Sequence, residues 1–105
     1  MGYKLNVSNR IRLPDIFPPE GSLELLSAVK SIIAKTTFNK KEQDILGMMQ
    51  AENGSITWDK EVEKELEFDF DEKEIEIIVV FLKGLKFSGK LDFATSELYN
   101  IFVRQ

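Results

Sequence analysis

Apolar residues recur along this chain at two periods, and their alternation lays out its elements. After the break at Pro18, Pro19 and Gly21, Leu25, Leu26, Val29, Ile32 and Ile33 return at three- and four-residue spacing. That spacing predicts a helix over about Leu23–Lys35 with one buried face, opened by Ser22 as its cap. Asn39 and Glu42 stand at the distance of a capping box, in which each side chain satisfies the other's backbone amide; they predict a short helix through Leu46, closed by Gly47. Asn53-Gly54 between Met48–Glu52 and Ser55–Trp58 predicts a hairpin whose tight turn takes two positive φ angles.

From Val62 to Phe70 the period changes to two, with Val62, Lys64, Leu66, Phe68 and Phe70 on one side and Glu63, Glu65, Glu67 and Asp69 on the other. This predicts a third strand that covers the core and presents four carboxylates to water. Asp71 and Glu74 repeat the capping-box spacing and start a helix over about Glu72–Phe87, with Ile75, Ile78, Val79, Leu82 and Leu85 as its stripe, broadened by Ile77, Val80 and Phe81. Asp92 caps a last helix, about Phe93–Val103, whose face holds Leu98, Ile101 and Phe102, joined by Phe93 or Ala94.

The start is ambiguous: Leu5–Phe17 reads as a short helix or as an extended arm, and Pro14 ends either. The expected product is an α+β domain with three to four helices on a small antiparallel sheet made of the hairpin and the third strand. Residues 1–21 form an arm with a Pro-rich break, and residues 22–105 the compact core.

Composition narrows the chemistry. The 105 residues suit a single domain. With no histidine and no cysteine, the common nucleophile–base pairs, thiolate zinc sites and disulfides are excluded. We therefore expect a non-enzyme without cofactor. The alternating, Arg-containing start does not read as a signal peptide. The run Ile77–Leu82 is far short of the roughly 20 apolar residues that cross a bilayer. The expectation is a cytoplasmic protein that does not act at a membrane.

Several landmarks resemble a known group. An Arg-containing start, Leu13-Pro14, Phe17-Pro18-Pro19-Glu20-Gly21, a helix ending in Lys35, Phe38 with Glu42, Trp58 after the hairpin, a Glu-Lys-rich strand and a final Leu98-Tyr99 with Phe102 are similar to small bacteriophage- and prophage-encoded proteins of this length. The group has no assigned activity to carry over. What the resemblance implies is a setting, in which small accessory proteins act by binding a host or phage component.

Charge then singles out one region. Asp59–Glu76 holds ten carboxylates against three lysines, a net −7, so the rest carries +3 of the overall −4. Alternate residues on a strand lie about 6.6–6.8 Å apart, near the spacing of phosphates along a nucleic-acid strand. Glu63, Glu65, Glu67 and Asp69 thus read as a partner-binding row for a protein with a basic surface, as a phosphate mimic would be. The competing reading is a solvated strand whose like charges discourage edge-to-edge aggregation. A straight strand sends its carboxylates out in a row, so they do not converge on a metal ion. Tyr99, beside the stripe of the last helix, is a further candidate anchor, whereas Trp58 reads as packing. A patch shared by Phe81, Phe87 and Tyr99 would indicate self-association into a homo-oligomer. Lys30, Lys35, Lys40, Lys41, Lys83, Lys86 and Lys90 suggest nucleic-acid binding as a third class, against which the pI near 4.9 and the want of a recognition motif both count.

Overall fold

In the computed structural model, which describes residues 2–104, the chain begins with a strand. Strand β1 (Gly2–Leu5) leads into α1 (Val7–Arg12) and a single 3-10 turn at Leu13–Ile16. Helix α2 (Leu23–Thr36), α3 (Lys40–Leu46), β2 (Met49–Gln50) and β3 (Ile56–Thr57) follow, then β4 (Leu66–Asp69), α4 (Glu72–Phe87) and α5 (Phe93–Phe102). The architecture is α+β.

Local chemistry fixes the helix starts as the spacing predicts. Ser22 accepts from the Leu25 amide, and Asn39–Glu42 and Asp71–Glu74 form reciprocal boxes, as do Asp92 and Thr95. Gly47 ends α3 at φ +61°, a left-handed position that a side chain would strain.

Three expectations are corrected. The sheet is not one hairpin with a third strand. Among the described residues there are two separate two-stranded sheets, β1 with β4 and β2 with β3. The acidic strand is also shorter than its alternating pattern. β1 offers four residues, paired as Gly2↔Asp69, Tyr3↔Phe68, Lys4↔Glu67 and Leu5↔Leu66, and the ladder ends where the partner ends. Finally, the described part of the expected arm, residues 2–21, does not lie outside the core. Tyr3, Leu5, Val7, Leu13 and Ile16 are all buried. Their burial places the first elements of the chain at the centre of the molecule.

The hairpin forms, but with a different turn. Gly54 donates its N–H to Ala51 O at 2.9 Å, Ala51 donates to Ser55 O at 2.7 Å, and Gly54 has φ +88° while Asn53 is not positive. The result is a three-residue loop with one left-handed glycine in place of a two-residue turn with two positive angles.

In the core, Ile78 and Leu82 of α4 are fully buried with Leu5, Leu13, Ile32 and Leu98. The rings of Tyr3, Phe70 and Phe102 bind β1, the end of β4 and α5 together, with centroids 4.7 to 6.2 Å apart. Val80, expected on the broadened stripe of α4, faces outward instead.

Buried polar groups are few and tied down. The Arg10 side chain lies inside, its Nε donating to Thr36 O at 2.9 Å and its terminal nitrogens to Thr37 O at 2.9 Å and to Glu42 at 2.8 and 3.2 Å. Its guanidinium lies 3.9 Å from the Phe38 ring centroid and 4.9 Å from that of Phe68. One side chain thereby joins α1, the end of α2, the start of α3 and β4. Glu74 is buried on α4 and meets Lys35 at 2.5 Å and Ser31 at 2.8 Å, which fastens α2 to α4.

Candidate functional site

The four carboxylates of the predicted row do not share one environment. Glu67 and Asp69 lie in β4 on the outer face with Lys4 and Gly2, opposite the face of Tyr3 and Leu5. Glu67 folds over Gly2, where a Cβ would collide with its carboxylate. Glu65 precedes the strand and is exposed. Glu63 departs from the row. It is half-buried, accepts from Trp58 Nε1 at 2.7 Å and from the Val7 amide at 3.0 Å, and so holds the hairpin against the start of α1. The strand-like spacing of about 6.6–6.8 Å therefore applies to Glu67 and Asp69, and the regular phosphate-like row of four is corrected to a shorter one.

The remaining carboxylates sort by whether they are committed. Glu42 is held below the usual carboxylate range by its hydrogen bonds to Arg10, and further by the Asn39 amide. For Glu74, burial acts to raise the carboxyl, but Lys35, the Asp71 amide and Ser31 outweigh it and leave it lowered. Asp92 is lowered chiefly by the Thr95 amide and hydroxyl, with Arg12 adding to them. By contrast, Glu65, Glu67, Asp69, Glu72 and Glu76 are all exposed, and none enters an ion pair among the described residues. Glu65 just before β4, two residues of β4 and two of the first turns of α4 thus present five uncommitted negative charges. Lys4, opposite Glu67, and Lys73 on α4 are nearby cations, and neither closes an ion pair with these carboxylates, so the surface keeps an excess of negative charge.

Tyr99 is not a protruding anchor. It is half-buried against the core, and its ring lies 5.1 Å from Lys86 Nζ. Phe81 likewise packs inward, edge-on to Phe17 at 5.9 Å. The patch of Phe81, Phe87 and Tyr99 does not form, yet Phe87 stands 96% exposed, and of Phe93 and Ala94, the two alternatives for the inner face of α5, Phe93 is 93% exposed. Ala94 takes the inner place. Of the lysines considered for nucleic acid, Lys35 is engaged by Glu74 and Lys86 by Tyr99.

Two shallow clefts adjoin these surfaces. One, about 470 Å³, lies between the N-terminal halves of α2 and α4 and is lined by Leu23, Ala28, Ser31, Asp71 and Glu74. The other, about 270 Å³, is lined by Val7, Ile45, Leu46, Val62 and Leu66 together with the charged Arg10, Glu42 and Lys64. Among the described residues no three Asp or Glu side chains gather as a metal ion requires. No helix there is long and apolar enough to cross a membrane. In comparison with known proteins, no family model, no curated protein and no solved structure matches the chain.

Proposed function

We propose that this chain is a small non-enzymatic accessory protein of the phage or prophage type, working in the cytoplasm of its host. It acts by holding a basic surface of a protein partner against β4 and the start of α4. The observation that carries the reading is the set of exposed carboxylates Glu65, Glu67, Asp69, Glu72 and Glu76, unpaired among the described residues, beside interior carboxylates that are all engaged. Complementary charge of this kind steers encounter and sets association rate more than it sets final affinity. The absence of histidine and cysteine from the sequence, and the commitment of Glu42 and Glu74 to ion pairs, favour binding over catalysis.

Reversing Glu65 and Glu67 to lysine tests it. The variant is expected to keep its fold by circular dichroism, since both side chains are exposed, and to lose the basic proteins that the immobilised wild-type chain retains at physiological salt. Retention of the same proteins in the same amounts, read by mass spectrometry, would remove the acidic surface from consideration.

A second reading, self-assembly into a homo-oligomer, is favoured by Phe87 and Phe93, which project on either side of the turn between α4 and α5. Exposed aromatic pairs are common anchors at protein interfaces.

A further inference from the structure

β4 is an edge. Among the described residues it pairs with β1 alone, and between Lys60 and Phe70 no main-chain group bonds to another main-chain group outside that ladder. Natural edge strands are blunted or covered because a row of free N–H and C=O groups recruits another strand. Here the side of β4 away from β1 has no main-chain partner among the described residues, and the chain upstream bends at Val62 before entering the strand at Leu66.

The two faces of β4 differ in chemistry. On one, Leu66, 43% exposed, lines the 270 Å³ cleft with Val62, Lys64 and the exposed Ile45 of α3. The other carries Glu67 and Asp69, with exposed Glu65 just before the strand. A strand laid beside β4 would alternate its side chains between these faces, one set toward the cleft at Leu66 and the next toward the carboxylates. Main-chain bonds would supply affinity, and the alternate positions would supply specificity.

We infer that the open edge of β4, Leu66–Asp69, accepts an added β-strand from its protein partner, in a segment where apolar residues alternate with lysine or arginine. A second copy of this chain is a poor occupant, because pairing β4 with β4 sets carboxylates against carboxylates, an arrangement that destabilises a ladder. The inference rests on the acidic-surface reading and adds the form of the partner to it.

The probe is a blocked, fluorescent peptide of four Lys-Val repeats, titrated with the full chain by anisotropy at physiological salt. Its control is the same peptide N-methylated at every backbone amide, which keeps the charges and side chains but donates no ladder bond. The parent peptide is expected to bind at least about tenfold more tightly than the control, the loss following from several main-chain hydrogen bonds of modest net strength each. It is also expected to lose binding to the Glu65→Lys/Glu67→Lys chain. Equal binding of both peptides, abolished by the charge reversal, would overturn strand addition and leave the acidic surface standing. Binding of the parent peptide that survives the charge reversal would instead defeat the acidic-surface reading, and the absence of any binding would overturn strand addition outright.

Discussion

Arg10→Ala is expected to cost about 3–5 kcal/mol, the range for removing one partner of a buried ion pair and leaving the other uncompensated. Its four hydrogen bonds go to Glu42 and to the carbonyls of Thr36 and Thr37, and its guanidinium fills the space between Phe38 and Phe68. Truncation leaves these acceptors short of donors and opens a gap among α1, α2, α3 and β4. Arg10→Lys recovers part of the loss, because an ammonium supplies the charge without the planar fork that reaches Glu42 through two nitrogens. Arg12 is the internal control. It is one third exposed and pairs with Asp15 and Asp92, so Arg12→Ala is expected to cost no more than about 1 kcal/mol. Urea melts of the three variants check this, and equal costs for Arg10→Ala and Arg12→Ala would show that Arg10 does not hold the elements together.

The second large effect is expected at Leu82, which is fully buried on α4 among Leu5, Leu13, Ile78 and Leu98. Leu82→Ala removes apolar area from the core and leaves a cavity, at a cost of about 2–5 kcal/mol depending on how far the neighbours collapse. The same substitution at Leu23, which is largely exposed at the start of α2, is expected to change stability by less than about 0.5 kcal/mol. A urea midpoint for Leu82→Ala that matches the wild type would place α4 outside the core.

What the sequence reveals and what it hides follow from the range of the forces involved. Helix starts are local, since a cap and its amide partner lie three residues apart, and Ser22, Asn39, Asp71 and Asp92 could each be read directly. The box at Asn6 was missed because its return partner is Asn9 rather than a glutamate or glutamine. Strand β1 was illegible because its pairing with β4 joins residues more than sixty positions apart, and a four-residue alternation of Tyr3 and Leu5 is too short to stand out. The same distance hid the role of Arg10. Its acceptors lie 26 to 32 residues along the chain, and the available signal was only an arginine set among the apolar positions Val7, Ile11 and Leu13. For the candidate site, the identity of the acidic region was plain from charge alone. Its geometry was not. The length of β1 decides where the alternation stops being a strand, and the Trp58 indole together with the Val7 amide decides that Glu63 turns inward. Phe87 lies off the stripe of α4 and Phe93 was one of two alternatives for the face of α5; each sits beside the turn between α4 and α5, where no described element covers it.

The central claim is that partners dock on β4 and the start of α4, and amide hydrogen exchange of the chain, alone and bound to a basic protein it retains, tests that claim most directly. The account predicts slowed exchange over residues 62–76, strongest at the open edge of β4, with the turn between α4 and α5 unchanged. Protection confined to the segment around Phe87 and Phe93, with residues 62–76 exchanging as in the free chain, would contradict it.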